Sequence, residues 1–301
     1  MNQAPVNSVD VSGRLRKMPA SAGLSVDDPV GSPVGSPVQY QLRLGDDHVA
    51  LNELIGQPVS IEFDGIIRCI NCDRVTKKSF SQGFCFPCMR KLAACDSCIM
   101  SPEKCHFHLG TCREPDWGQA NCMVEHVVYL ANSSGLKVGI TRGTQVPTRW
   151  IDQGAVDAIP MLRVATRQLS GFVEVACKAH VADRTNWRTM LKGETTELNL
   201  AAERDKLLAL VAEELDALRA EHGADSIRAV QEPSLGLSYP VDVWPQKVTS
   251  HNLDKTPRVS GVLQGIKGQY LILDTGVINI RKYTGYQVRF CAPANTGDSN
   301  A

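Results

Sequence analysis

The sequence has no net charge and no long apolar run. Its 32 Lys and Arg residues balance 32 Asp and Glu residues, so a surface that binds a polyanion has to be a local patch. No apolar stretch approaches the ~18 residues that a membrane-spanning helix needs, so we expect no membrane partner. Residues 1–26 also lack the continuous apolar core of a signal peptide. These absences predict a cytoplasmic protein.

Aromatic residues are few, at 6% of 301 residues, but 43% of the chain is hydrophobic and can bury a core in two or three domains. Alternating apolar runs beside helical spacings predict the α+β class. A doubled Gly-Ser-Pro motif and few large apolar residues predict a disordered leader at 1–37. The other predicted segments are a β segment at 38–67, a cysteine-rich, zinc-ribbon-like module at 68–123, a ββαβα domain at 124–192, an acidic helical segment at 193–232, a small antiparallel β domain at 239–292 and a disordered tail at 293–301.

Charge and apolar spacing give specific expectations for the second half of the chain. Ser170 is placed to cap the helix around Glu174, and residues 198–220 have the apolar spacing of one helix. The ten acidic and four basic residues within 194–232 predict a solvent-facing surface that can dock a protein partner. The seven basic and three acidic residues within 240–291 fit either a solvated sheet face or nucleic-acid contact.

Cysteine is abundant by contrast. There are 11 cysteines, an odd number, and nine of them lie between Cys69 and Cys122, which favours metal binding over disulfides in a reducing compartment. Two CxxC pairs, twelve residues apart, have the spacing of two knuckles around one tetrahedral zinc. Because four thiolates leave no open position for water, we expect a structural zinc. Its predicted ligands are Cys69, Cys72, Cys85 and Cys88, and the alternative is four reduced cysteines in a core.

A second ligand set follows the first along the chain. We assign it Cys95, Cys98, Cys105 and Cys112, with His106, His108 and Cys122 as substitutes. The two sets together predict one to two structural Zn²⁺ ions per chain. A pair of solvated histidines is the alternative interpretation of His106 and His108.

The stretch from Tyr129 to Trp150 contains no acidic residue but three basic ones, Lys137, Arg142 and Arg149. Its pattern indicates two short strands, a polar Asn-Ser-Ser-Gly turn and a proline that can open a helix. The stretch is either a solvated hairpin or a set of charges that binds phosphate.

Three motifs of this region, "VVYLA", "KVGITR" and "PTRW", resemble the GIY-YIG nuclease superfamily. Two strands with tyrosine motifs there precede a helix with an arginine, then a strand and a helix with a glutamate. The resemblance aligns Tyr129, Gly139, Arg149 and Glu174 with the first tyrosine, the end of the second motif, the arginine and the glutamate. Asn186 aligns with an asparagine that often follows the last helix.

The resemblance implies metal-dependent phosphodiester cleavage of DNA or RNA. Arg149 would bind the phosphate, Glu174 would hold Mg²⁺ or Mn²⁺, and Tyr129 would handle the proton of the nucleophile. Lys137 stands where the second motif has a tyrosine and would stabilise charge. The alternatives are an ordinary strand aromatic for Tyr129, an ion pair with Asp152 for Arg149 and a solvated carboxylate for Glu174.

The whole chain, including "GTCREPDWG", "TRWIDQGA" and "GIKGQYLILD", is also similar to a bacterial family known as domain of unknown function 2797, which supplies no activity. Three functions therefore remain open. The first is a zinc-containing nuclease, and the second is a non-catalytic nucleic-acid-binding protein on the same scaffold. The third is a zinc-stapled protein–protein adaptor that docks its partner on the acidic helical segment.

Overall fold

The computed structural model describes residues 8–23 and 36–293, which form two compact units. Of the described residues, the first unit holds 8–21, 37–88 and 239–293, and the second holds 22–23, 36 and 89–238. Both strands and helices are present, so the mixed α+β class is confirmed. Within the described ranges, no helix has the length and apolar character needed to cross a membrane.

Fifteen strands lie in the described residues. They are β1 (Val9–Arg14), β2 (Ala20–Gly23), β3 (Ser36–Leu44), β4 (Asp47–Ala50), β5 (Pro58–Arg68), β6 (Val75–Thr76), β7 (His126–Asn132), β8 (Leu136–Arg142), β9 (Asp157–Val164), β10 (Ile227–Ala229), β11 (Leu235–Gly236), β12 (Arg258–Lys267), β13 (Tyr270–Leu273), β14 (Gly276–Asn279) and β15 (Tyr286–Ala292).

Seven α-helices accompany them in the same ranges. They are α1 (Phe86–Lys91), α2 (Pro115–Asn121), α3 (Thr148–Asp152), α4 (Arg167–Lys178), α5 (Trp187–Leu191), α6 (Leu200–Leu210) and α7 (Ala212–His222). Short 3₁₀ turns lie between them, and four of these turns fall between Ala93 and Leu109.

The first unit is built on an antiparallel sheet of order β1-β15-β5-β12-β13-β14, with β6 paired to β5. Strand β1 pairs along its whole length with β15, and Leu15 and Met18 behind it are fully buried. The prediction of a disordered leader at 1–37 is therefore corrected for residues 9–23, because a short valine alternation finds its partner at the other end of the chain. Residues 1–7 and 24–35 of the predicted leader and residues 294–301 of the predicted tail lie outside the described residues.

The sequence predicts a separate β domain at 239–292. The C-terminal strands do not form one. Strand β5 pairs with β12 on one side and with β15 on the other, so the β segment at 38–67 and the C-terminal strands share one sheet. The cysteine-rich segment is divided as well, because the boundary between the two units lies between Cys88 and Met89.

The second unit contains an antiparallel sheet of order β10-β9-β7-β8, with β11 paired to β9. Helices α4, α6 and α7 pack on it, and their shared core is lined by buried apolar residues including Val128, Leu162, Val173, Leu207 and Leu215. Every residue of β7 is buried. This double-sided burial fixes the side chains that β7 contributes to the polar cluster described below.

Two helix predictions for this unit need correction. Helix α4 begins at Arg167 and is capped by Thr166, whose side chain accepts from the Leu169 N–H over 3.2 Å. Ser170 lies inside the helix and donates its hydroxyl to the Arg167 carbonyl over 2.7 Å. The predicted helix at 198–220 is two helices, α6 and α7, that meet at Val211.

Candidate metal centre and polar cluster

The first cysteine set lies together in the first unit. The sulfur atoms of Cys69, Cys72, Cys85 and Cys88 all fall within 4.8 Å of one another, and those of Cys72 and Cys85 are 3.7 Å apart. Tetrahedral zinc with Zn–S bonds of about 2.3 Å places its sulfur ligands roughly 3.8 Å apart. These four thiols can therefore hold a metal such as zinc.

Local backbone structure explains how the first knuckle forms. Cys69 follows β5 directly, and the chain reverses at Asp73, which has a φ of 58°. Burial opposes ionisation of the Cys69 thiol, but backbone N–H groups of Cys72, Cys85 and Asn71 lower its pKa to about 6. Burial raises the pKa of Cys88 to about 12, so metal binding has to displace that proton.

The structure does not bring the second predicted set together as one metal site, because the ligand atoms that lie within 4.8 Å of one another there belong to Asp96, Cys98 and His106. Cys98, Cys105, Cys112 and Cys122 line one cavity of the second unit, whereas Cys95 is absent from its lining. His106 reaches this cavity, but its Nδ1 lies 2.7 Å from the Thr111 hydroxyl and its Nε2 lies 3.4 Å from Asp96. His108 is exposed, which fits the solvated interpretation of that residue.

Tyr129 is fully buried at the centre of a polar cluster in the second unit. It pairs with Gly139 across β7 and β8, and a Cβ at Gly139 would lie 2.7 Å from the Tyr129 hydroxyl. The hydroxyl donates to Oε1 of Gln153 over 2.9 Å. Burial raises the pKa of Tyr129 to about 12, against the opposing effect of the Arg149 charge. Near pH 7 the group is a protonated hydrogen-bond donor.

Lys137 is the second buried group of the cluster, with 3% of its surface exposed. Its Nζ donates to Oε1 of Gln153 over 2.5 Å and to the Thr185 hydroxyl over 2.8 Å. Burial, followed by repulsion from Arg149, lowers the pKa of Lys137 to about 7. Lys137 therefore gives up its proton far more readily near neutral pH than an exposed lysine does.

Arg149 and Glu174 complete the cluster from α3 and α4. The charges of Arg149 and Glu174 both act on Tyr129 and on Lys137. Burial raises the pKa of Glu174, although Lys178, 3.3 Å away, opposes the shift. The structure thus brings the predicted residues Tyr129, Lys137, Arg149 and Glu174 within electrostatic reach of one another.

Asn186 has a different position. Its side-chain oxygen accepts from the N–H groups of Arg188 and Thr189 over 3.2 and 3.3 Å, which caps α5. This capping oxygen is already occupied, so the structure gives Asn186 a helix-capping role. Glu174 shares no cluster of three or more metal-ligating side chains within the described ranges.

Sequence reasoning missed the residues that hold the cluster together. Gln153 accepts from two of its members and Thr185 from one, while Lys178 bridges Glu174 and Asp183 over 3.3 and 3.1 Å. Glutamine and threonine carry no charge signal in a sequence. Only the positions of Gln153 after α3 and Thr185 before α5 bring them to Lys137.

A basic cavity of the first unit was also missed. It has a volume of ≈ 580 Å³, four Arg and Lys residues line it, and no acidic residue does. Its cations are Arg16, Lys17, Arg43 and Arg281. Arg16 and Lys17 belong to the segment for which the sequence predicts disorder, so the sequence gives no reason to expect them on a folded surface.

The family model for a protein of unknown function (DUF2797) matches residues 56–288. The chain belongs to this family. Comparisons with curated proteins and with solved structures found no match. The DUF2797 match takes in the first cysteine set, the cavity lined by the second and the polar cluster, and it confirms one of the two resemblances seen in the sequence. The resemblance to GIY-YIG nucleases stays a prediction.

Proposed function

We propose that this DUF2797 protein is a zinc-containing protein that binds nucleic acid through phosphate contacts. The observation that carries the proposal is the basic cavity, where four cationic side chains surround ≈ 580 Å³ without an acidic neighbour in the lining. Ligand cavities of proteins span roughly 300–1,000 Å³, so this one has room for a phosphate and part of its nucleotide.

Arg16 and Arg43 of this cavity repel each other, while Asp46 and Asp73, which do not line it, attract Arg16. Burial, followed by repulsion from Arg14 and Arg43, lowers the pKa of Arg16. The Arg16 Nε is buried and has no hydrogen-bond partner in the described part of the chain. A phosphate oxygen would offset the repulsion and accept from a guanidinium donor, and arginine is well suited to both roles.

The first metal site supports this cavity. Ile70, Ser81, Gln82 and Phe84 line it, and all four lie between the first and last cysteines of that site. The Arg281 Nε donates to Gln82 Oε1 over 2.6 Å. A metal at Cys69, Cys72, Cys85 and Cys88 would hold this stretch in place, which gives zinc a structural role in phosphate binding.

Metal-dependent cleavage is the second candidate function. The proximity of Tyr129, Lys137, Arg149 and Glu174 favours it, because these residue types suit phosphodiester hydrolysis. Binding is the better-supported function because a proton-handling group must reach the substrate, and Tyr129 is 0% exposed. A protein–protein adaptor that docks on α6 and α7 is the third candidate.

A binding titration at several salt concentrations tests the proposal. We expect labelled single- and double-stranded DNA and RNA to be bound with an affinity that falls with salt, with a log–log slope of about −0.9 per phosphate contact on B-DNA. Arg16→Ala with Arg43→Ala should weaken binding and flatten the slope by about two contacts. Arg258→Ala, at an exposed arginine of the same unit outside the cavity lining, is the control.

Each outcome of the titration decides between functions. Unchanged binding in the double variant would refute the cavity as the phosphate site. No binding to DNA or RNA at low salt would refute the proposed function and favour the adaptor.

A further inference from the structure

Three side chains of different chemistry converge in the second unit, outside the polar cluster. One ligand atom each of Asp96, Cys98 and His106 lies within 4.8 Å of the other two. All three side chains line the same small cavity, which has a volume of ≈ 10 Å³ and room for one water-sized body. A carboxylate, a thiolate and an imidazole around so small a space can enclose a single ion.

Two short turns of the backbone bring these three residues together. Asp96 caps the 3₁₀ turn Ser97–Ile99, and Cys98 lies inside that turn. His106 immediately precedes a second 3₁₀ turn, Phe107–Leu109. The convergence of the three ligand atoms therefore depends on how the two turns pack, and not on a single CxxC knuckle.

The hydrogen bonds of His106 leave Nε2 as the ring atom that can bind a metal. The Thr111 hydroxyl donates to the His106 carbonyl over 3.2 Å, so its oxygen accepts from the ring Nδ1–H, 2.7 Å away. The Nε2 atom then carries a lone pair, and it faces Oδ2 of Asp96 at 3.4 Å. Metal-bound histidines are commonly oriented in this way, by a hydrogen bond from the other ring nitrogen.

The separation of His106 Nε2 and Asp96 Oδ2 fits two ligands of one ion. A direct hydrogen bond between an imidazolium and a carboxylate is about 2.7–2.9 Å long, which is shorter than the observed 3.4 Å. Zinc bonds to nitrogen and to carboxylate oxygen at about 2.0–2.1 Å, so two such ligands of a tetrahedral ion stand roughly 3.3 Å apart. The distance therefore matches an ion between the two atoms better than it matches a shared proton.

Asp96 is held by contacts that are compatible with a bound metal. Its Oδ1 accepts from the Ser97 N–H over 2.6 Å, and its Oδ2 pairs with the Arg113 Nε over 2.8 Å. The Arg113 Nη1 in turn donates to the carbonyls of Met89 and Leu92 over 3.1 and 3.3 Å. A carboxylate oxygen has two lone pairs, so Oδ2 can bind a metal while Arg113 fixes its direction.

We propose that Asp96, Cys98 and His106 bind one Zn²⁺ ion. Oxygen, sulfur and nitrogen are the donors that zinc takes from proteins, whereas Mg²⁺ and Ca²⁺ prefer oxygen alone. One thiolate and one carboxylate balance the two charges of the ion. This mixed set takes the place of the all-cysteine set that the spacing predicts, and it is independent of nucleic-acid binding.

The other cysteines near the cavity do not form an all-sulfur site. Cys105, Cys112 and Cys122 also line the cavity, but their sulfur atoms lie outside the group of close ligand atoms that the described residues form there. The Cys112 thiol donates to the Glu114 carbonyl over 3.5 Å. Cys95 does not line the cavity, so it serves as a control.

The test is metal analysis of the full chain after reduction, loading with Zn²⁺ and removal of unbound metal. We expect two zinc ions per chain, one of them in the first site. Asp96→Asn, Cys98→Ser and His106→Gln should each retain one. Asparagine at position 96 keeps the oxygen that caps the Ser97–Ile99 turn, so this variant removes the charge and spares the cap. Cys95→Ser is the matched control and should retain both ions.

The results separate the alternatives. One zinc ion per wild-type chain would overturn the site and leave Asp96 and His106 as an ion pair. Two zinc ions in Asp96→Asn or in His106→Gln would overturn the mixed ligand set, and loss of one in Cys95→Ser would do so in favour of an all-cysteine set. Cys69→Ser should lose one zinc, and Cys69→Ser with His106→Gln should hold none, which assigns the two losses to different sites. Circular dichroism and the zinc retained in the first site distinguish a lost ligand from an unfolded chain.

Discussion

Tyr129 and Lys137 donate hydrogen bonds to the same atom, Oε1 of Gln153, over 2.9 and 2.5 Å. The two donors lie on neighbouring strands, and both are nearly inaccessible to solvent. Gln153 is thus the acceptor of the Tyr129 hydroxyl and one of two acceptors of the Lys137 ammonium, whose other acceptor is the Thr185 hydroxyl. Gln153, which lies just after α3, couples that helix to the sheet.

Replacing Gln153 by leucine should destabilise the second unit by about 1–3 kcal/mol, because the Tyr129 hydroxyl loses its buried acceptor while Lys137 keeps its hydrogen bond to Thr185. Denaturant unfolding of the variant measures the loss. Tyr129→Phe removes only one donor and should cost about 1 kcal/mol. In the double variant the tyrosine substitution should cost less than it does alone, and strictly additive effects would contradict the shared acceptor.

The pH dependence of stability should reveal the buried Lys137. Its pKa in the folded state, about 7, lies below its ordinary value of 10.5, so the unfolded chain binds a proton that the folded chain releases. The contribution of Lys137 to the free energy of unfolding therefore rises as the pH increases from about 7 toward 10.5. Relative to Lys137→Met, the wild type should gain on the order of 2 kcal/mol between pH 7 and pH 9.

The control for this titration is Lys247→Met, at an exposed lysine. Its stability should run parallel to that of the wild type over the same pH range. A constant difference between wild type and Lys137→Met from pH 6 to pH 9 would show that Lys137 stays charged in the fold.

Local sequence signals predicted much of the second unit. The strands β7 and β8, their polar turn and the start of α3 after Pro147 follow from alternation, turn residues and proline placement. Strand β1 was missed because its partner β15 lies at the other end of the chain. Such long-range pairing leaves no local signal, and a Gly- and Pro-rich surrounding weakened the valine alternation.

The metal ligands also divide into those that local sequence signals predict and those that depend on tertiary contacts. Paired CxxC spacing determines the first set, since each knuckle orients two thiols by itself. In the second set Cys95 and Cys122 are both plausible by spacing. The choice depends on how residues 95–122 pack on α4, where the Gln168 amide donates to the Cys105 carbonyl over 2.9 Å. That contact is tertiary and cannot be predicted from spacing.

Gly139 should tolerate no side chain, because its Cβ would lie 2.7 Å from both Cζ and the hydroxyl of Tyr129. Gly139→Ala should push the ring away from Gln153 and cost about 1–3 kcal/mol by overpacking. Gly143→Ala is the matched control, since the atoms nearest to its added Cβ are 3.8 and 3.9 Å away. Thermal unfolding compares the two, and equal stability would contradict the close approach.

Removal of metal from the first site should unfold its loop and weaken the basic cavity. Cys72→Ser should lower the zinc content by about one per chain and reduce nucleic-acid affinity, because residues between the knuckles line that cavity. Cys291→Ser, at a cysteine outside both sets, should change neither quantity. Full zinc retention in Cys72→Ser would contradict the four-cysteine site.

Cleavage assays distinguish a nucleic-acid-binding protein from a nuclease. We expect no cleavage of single- or double-stranded DNA or RNA with Mg²⁺ or Mn²⁺, because Tyr129 is buried and its pKa of about 12 keeps it protonated. Glu174 also belongs to no group of three or more metal-ligating side chains within the described residues. Binding by Glu174→Gln should equal that of the wild type, since Glu174 does not line the basic cavity.

A nuclease would give a different result in the same assays. If the wild type cleaves and Glu174→Gln does not, while both bind equally, Glu174 holds the catalytic ion and the nuclease becomes the established function. Tyr129→Phe then reports on the hydroxyl: a rate that falls by about 10²–10⁴-fold identifies a proton-handling group. An unchanged rate would confine Tyr129 to its hydrogen bond with Gln153, where the structure shows its hydroxyl.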